Sequence, residues 1–198
     1  MSALVIVDVQ NDFISGSLPV PNGSEVIPKI NELIKSRRWD IIIATKDWHP
    51  KDHCSFSSTH KGVKEHTLHS DNKKFNLPLW PDHCVQDTYG AELVDGLDTK
   101  SIDRVVLKGT MKDTEFYSAV SDVFQNHETD LVSVLNSYSI GQVCVVGLAF
   151  DYCVMYTAMD LQRHNFKTSI KKDCTRSITP EGESNSLKRL EEQGVTIE

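Results

Sequence analysis

Short apolar runs recur along the chain at residues 3–7, 41–45, 105–107, 143–148, 168–170 and 195–197. They are rich in β-branched residues and run apolar rather than alternating, the pattern of strands covered on both faces. Between them lie stretches with helical spacing. Val26, Ile27, Ile30, Leu33 and Ile34 form one apolar stripe. Val154, Ala158 and Leu161 form a second, Leu187 and Leu190 a third, and Tyr117, Val120, Val123 and Phe124 a fourth. Strands alternating with helices specify an α/β fold: a three-layer sandwich with a mostly parallel sheet of about six strands and helices on both faces. The 198 residues hold no repeat and no Gly/Ser linker, so residues 1–198 read as one domain. One segment breaks the alternation. An insertion at about residues 49–89 shows no clear strand or helix, yet carries six of the eight histidines, with Trp48 and Trp80 near its ends. A long loop inside a compact domain is commonly functional, and the tryptophans would anchor it.

Charge narrows the function classes. Twenty-one basic against 28 acidic side chains leave a net charge of −7, which gives no general attraction to phosphate backbones or anionic lipid. Nucleic-acid and membrane-surface roles are therefore disfavoured. No apolar run approaches the roughly 18 residues of a membrane helix, and residues 3–7 have neither the basic flank nor the length of a signal peptide. Five cysteines cannot all pair and show no CxxC ribbon pattern, so a reduced, cytoplasmic protein is expected, with nuclear access by diffusion. The partner expected is a small-molecule substrate, and a homo-oligomer stays open.

In an open parallel sheet, ligands bind beyond the carboxyl ends of the strands. Asp8 follows the first run, Lys46, Asp47 and His49 the second, and Lys108 ends the third. The fourth run leads through Gly147-Leu148-Ala149-Phe150-Asp151-Tyr152 to Cys153 at a helix start. An acid, a pair of metal-ligand types, an amine and a thiol thus meet at one rim. The positive end of the helix and a nearby Lys108 would favour the Cys153 thiolate, while Asp8 could accept a proton or hold the lysine. Singly, each residue has an ordinary structural use: a small buried thiol, a turn-capping acid, a solvated strand-end lysine. Their coincidence points to a nucleophile with its helpers. Asp47 and His49 lie two residues apart and can face one side of an extended strand end. With His83, and with or without His53, they give the oxygen and nitrogen donors that suit a zinc-like ion with an open position. In Trp80-Pro81-Asp82-His83-Cys84, the tryptophan and proline fix the approach of the histidine. His60, His66 and His69 read as solvated loop residues.

These motifs resemble those of the nicotinamidases, within the isochorismatase-like cysteine hydrolases. Asp8-Val9-Gln10-Asn11-Asp12-Phe13 is similar to the opening signature, and Lys46-Asp47-Trp48-His49-Pro50, His53 and Trp80–Cys84 to the metal-site motifs. Lys108-Gly109 with Tyr117-Ser118-Ala119 is similar to the lysine segment, and 147–154 to the nucleophile turn; the resemblance spans residues 3 to about 175. It implies an isochorismatase-like, Rossmann-like fold and hydrolysis of nicotinamide to nicotinate and ammonia in NAD salvage. It further implies a triad of Asp8, Lys108 and Cys153, a thioester on Cys153, a cis bond between Leu148 and Ala149, and an oxyanion held by the amides of Ala149 and Cys153. The implied cofactor is one divalent metal, zinc first with iron or manganese as alternatives, on Asp47, His49, His83 and His53. Phe13, Trp80 and Tyr117 would pack around the substrate ring. Asp47, His49 and His83 argue against a sibling hydrolase acting on a carbamoyl or ureido compound, and the presence of Asp8, Lys108 and Cys153 argues against a non-catalytic metal-binding module; a metallohydrolase using activated water stays open.

Overall fold

The computed structural model describes residues 1–198 apart from Arg37, Lys64 and Asn72. In chain order the main elements are β1 (Ser2–Val7), α1 (Asn11–Ile14), α2 (Val26–Lys35), β2 (Ile41–Asp47), β3 (Glu65–Ser70) and β4 (Lys73–Pro78). They are followed by β5 (Arg104–Lys108), α3 (Leu131–Ser137), β6 (Gln142–Leu148), a π-helical turn (Phe150–Val154) that runs into α4 (Met155–Arg163), β7 (Lys167–Arg176), α5 (Pro180–Glu192) and β8 (Thr196–Ile197). Each of the six apolar runs is a strand of a six-stranded sheet in the order β5-β2-β1-β6-β7-β8, and every pairing in it is parallel.

The strand order dictates where a site can form. From β1 the chain steps outward through β2 to β5, then returns to β6 on the other side of β1 and steps outward again. That reversal opens a crevice at the carboxyl ends of β1 and β6. Gly147 of β6 lies beside Val7 of β1 with φ +112°, and a Cβ there would strike the Val7 backbone, so the close approach requires glycine.

The sheet is covered on both faces. Val26, Ile30 and Ile34 of α2 pack on Leu4, Ile6, Ile42, Ala44 and Val146. Leu131 and Leu135 of α3, Ala158 and Leu161 of α4 and Leu190 of α5 pack on Ala3, Val5, Ile41, Ile43 and Val145. Each buried Leu, Ile or Val contributes about 1.5–3 kcal/mol, which offsets the cost of ordering the central strands. α5 begins with Thr179, whose side chain accepts the Gly182 N–H at 2.9 Å, and Pro180 occupies its first turn.

Three expectations are corrected. The apolar stripe at 117–124 is not a helix, because side chains there bind the backbone instead. Asp122 Oδ1 accepts from the amides of Phe124 and Asn126, Ser118 Oγ from Val120, and Thr129 Oγ1 donates to the Ala119 carbonyl. The helix of this region is α3, a segment that the sequence reading did not single out. The insertion is not structureless either. It holds the antiparallel hairpin β3–β4, whose inward side chains Leu68 and Leu77 are diluted among polar neighbours and give no apolar run. β5 is a sheet edge, so Val105 and Leu107 remain 42% and 43% exposed rather than covered.

Candidate active site

The predicted catalytic residues converge on one buried ammonium. Asp47 and Lys108 are register partners at the ends of β2 and β5, which brings their side chains together. Lys108 directs its three hydrogens at Asp47 Oδ1 (2.5 Å), the Phe116 carbonyl (3.0 Å) and Cys153 Sγ (3.5 Å). Its nitrogen also lies 2.9 Å from Asp8 Oδ2, close enough for an ion pair. The other Asp8 oxygen accepts from Thr45 Oγ1 at 2.6 Å. Asp8 Oδ2 is thus buried, beside a cation, and without a hydrogen-bond donor of its own. Asp8 adopts φ +49°, a backbone conformation that non-glycine residues seldom take and that clusters at functional sites. Lys46 does not join this group; it pairs with Glu92 at 2.8 Å and lies over the Trp48 ring.

Burial decides the protonation of the group. It opposes charge on Lys108, but Asp47 and Asp8 overcome it and hold the ammonium well above its usual pKa. Burial likewise opposes charge on Asp47, but Lys108 wins and keeps that carboxylate ionised far below the usual range. For Asp8, burial outweighs Lys108 and raises the pKa. Cys153 departs from the sequence expectation. It sits in the π-helical turn rather than the first turn of a regular helix, and burial pushes its thiol up despite Lys108, with Asp8 and Asp47 adding to the rise. The resting nucleophile is a thiol, so it needs a base.

Three candidate ligands form a second cluster beside the first. One carboxylate oxygen of Asp47 and one nitrogen each of His49 and His83 all lie within 4.8 Å of one another, and all three residues are buried. Nδ1 of His49 is 2.9 Å from the Gly109 carbonyl and Nδ1 of His83 is 2.7 Å from the Pro81 carbonyl. A carbonyl only accepts, so each Nδ1 carries the hydrogen and each Nε2 faces the cluster. Burial opposes charge on His49, but Asp47 raises its pKa, so His49 gives up its Nε2 proton when it binds an ion. Burial and the charge of His49 lower the His83 pKa to about 4, so His83 is neutral, as a ligand must be. Gly109, at φ +64°, makes room for this arrangement, since a Cβ there would strike the His49 ring. The donor set fits a zinc-like ion with three protein ligands and an open position.

His53 is a correction to the ligand set. Its Nδ1 bonds Ser55 Oγ at 2.7 Å and its Nε2 bonds the Thr114 carbonyl at 3.0 Å, so both nitrogens are engaged. It groups with His49 and Glu115, not with Asp47 and His83. Burial, then His49, lowers its pKa to about 2. His60 and His66 stack on each other in the insertion, and His60 Nε2 bonds the Cys54 carbonyl at 2.9 Å.

A narrow cleft opens onto Asp47, His49, His83 and Cys153. Phe13, Trp80, Tyr117 and Ala149, all singled out in the sequence, line it. Trp80 Nε1 donates to Tyr117 Oη at 3.2 Å, and the Phe13 ring lies 5.5 Å from that of His83. Sequence reasoning missed Leu18, Glu115, Tyr152 and Ile178. Of these, Tyr152 adjoins the nucleophile in sequence and could have been read. Glu115 lies in an irregular loop that carries no periodic signal. The Leu148–Ala149 peptide bond is cis, as the resemblance implied.

A doubly wound α/β domain with cysteine, aspartate and lysine at its strand ends defines a class of hydrolase. Its family model, the Isochorismatase domain, matches residues 2–198, and the chain belongs to that family. Within it the likeness is to nicotinamidases. That of Saccharomyces cerevisiae is 40% identical, over 92% of this chain and 91% of the relative. The yeast enzyme Pnc1p bound to the inhibitor nicotinaldehyde superposes with a TM-score of 0.94 at 37% identity, covering 100% of this chain and 99% of that one. The pyrazinamidase of Pyrococcus horikoshii, solved in complex with zinc, gives a TM-score of 0.80 at 35% identity, covering 100% and 98%.

Proposed function

We propose that the protein is a nicotinamidase, hydrolysing nicotinamide to nicotinate and ammonia through a thioester on Cys153. The observation that carries this reading is the ammonium of Lys108, which joins the thiol, the acid Asp8 and the metal-cluster residue Asp47 at the floor of one small cleft. Asp8 Oδ2 has a free lone pair, a raised pKa and a neighbouring thiol, so it takes the Cys153 proton as Sγ attacks the carboxamide carbon. The amides of Ala149 and Cys153 hold the oxyanion, and Lys108 offsets the charge that develops. Asp8 then delivers the proton to the leaving nitrogen. Ammonia departs, Asp8 draws a proton from water, and the water cleaves the thioester to nicotinate and free thiol. Phe13, Trp80 and Tyr117 enclose the ring. Asp47, His49 and His83 would hold a divalent metal, with zinc favoured by the donor set and iron or manganese as alternatives, and it would supply a Lewis acid that orients the substrate ring.

Deamidation of nicotinamide places the enzyme in NAD salvage. Among the described residues no helix is long and apolar enough to cross a membrane, which accords with the proposed cytoplasmic location. The test is ammonia release from nicotinamide beside other small amides and ureido compounds. Cys153→Ala is expected to abolish turnover while leaving metal bound; retained turnover refutes the thioester route. A metal-replete protein that hydrolyses a ureido compound but not nicotinamide refutes the substrate assignment.

A further inference from the structure

Gln10 belongs to the opening motif but touches none of the reacting groups. It is fully buried, and both hydrogens of its amide are used. Oε1 accepts the Asp47 N–H at 2.8 Å, and Nε2 donates to the Asp47 carbonyl at 2.8 Å and to the Ala91 carbonyl at 2.8 Å. One side chain therefore holds both backbone groups of Asp47. Asp47 is the residue that meets Lys108 through Oδ1 and approaches His49 Nε2 through Oδ2, at 3.6 Å. Two residues on, Asp12 does the same for the other ligand segment, with Oδ2 accepting the amide of Cys84, next to His83, at 2.7 Å. Between them the Asn11 amide group donates to the Tyr89 carbonyl at 2.8 Å. The segment after β1 thus stitches the end of β2 to the loop that brings in His83.

We propose that Gln10 is a positioning residue of the metal site, fixing the Asp47 backbone so that its carboxylate is already aimed before an ion arrives. The inference rests on the reading of Asp47, His49 and His83 as ligands. Pre-positioning is what lets a ligand bind without reordering, and loss of such outer contacts commonly costs 10–100-fold in metal affinity.

The experiment uses the full chain, stripped with chelator and titrated with zinc against a chromophoric competitor. Gln10→Met keeps the length and removes all three bonds. Its zinc affinity is expected to fall 10–100-fold. The zinc-induced rise in unfolding stability should shrink with it, by about 1.4 kcal/mol for each tenfold. A purely structural Gln10 would lower the stability of the stripped and zinc-loaded forms equally, and that outcome overturns the proposal. Gln10→Glu is the second variant should the methionine form not fold. It keeps the acceptor for the Asp47 N–H but loses both donors, and weaker zinc binding than the parent is again expected. Parental affinity in the folded variants overturns the inference alone. A parent that binds no zinc, iron or manganese overturns the ligand reading, and the inference with it.

Discussion

Replacing Lys108 with methionine removes the ammonium that lies between two buried carboxylates. Oxygens of Asp8 and Asp47 lie within 4.8 Å of each other. At an effective dielectric of about 20, two unit charges at that separation repel by at least ~3.5 kcal/mol. Breaking a buried ion pair by deleting one partner costs about 3–5 kcal/mol, so the metal-free variant should lose that much stability near pH 7.5. The protein can relieve the repulsion by binding a proton. A repulsion of ~3.5 kcal/mol raises the pKa of the pair by about 2.5 pH units. In the variant the folded pKa then lies above the unfolded value, so the folded state binds more protons than the unfolded chain. Its stability contribution is full below the unfolded carboxylate pKa and is lost as pH rises through the folded one. The gap between parent and variant should therefore narrow on acidification, by up to about 1.4 kcal/mol per pH unit. Urea unfolding of chelator-treated parent and Lys108→Met at pH 7.5, 6.5 and 5.5 measures it. A gap that stays constant across that range refutes the shared-ammonium reasoning.

Gly109→Ala places a methyl against the His49 ring at a backbone position that disfavours side chains, so zinc affinity should drop at least tenfold; parental affinity would contradict the steric reading. Acid should destabilise the metal-free parent. His53 has a folded pKa of about 2 against 6.5 unfolded, so its contribution is full above pH 6.5 and is lost as pH falls, by about 1.4 kcal/mol per unit. His53→Asn should flatten that slope in guanidinium titrations at pH 7, 6 and 5, and an unchanged slope would exclude His53 as the source. Trp80→Phe removes the donor to Tyr117 and loosens one wall of the cleft. Steady-state ammonia release should show KM rising several-fold with kcat nearly kept; a selective fall in kcat would place Trp80 in the chemistry instead.

The alternation of apolar runs and helical stripes determined the layers and the six strands, because the central runs are stable only when buried on both faces of a covered sheet. The same runs marked Asp8, Asp47, Lys108 and Cys153, since polar residues at strand ends in a parallel sheet share one rim. What the sequence did not determine is governed by contacts between distant segments. The stripe at 117–124 has helical spacing, but Ser118, Asp122 and Thr129 satisfy its backbone, and that competition is visible only in three dimensions. His53 lies in a ligand-like motif, yet Ser55 and the Thr114 carbonyl, 61 residues away, occupy its nitrogens. The state of Cys153 followed the same logic. A helix start and a lysine argue for thiolate, but complete enclosure beside two carboxylates keeps the proton on sulfur. Residue types and their order thus named the chemical groups. Tertiary structure alone set their ionisation and their free lone pairs, because both depend on burial and on neighbours that no local pattern encodes.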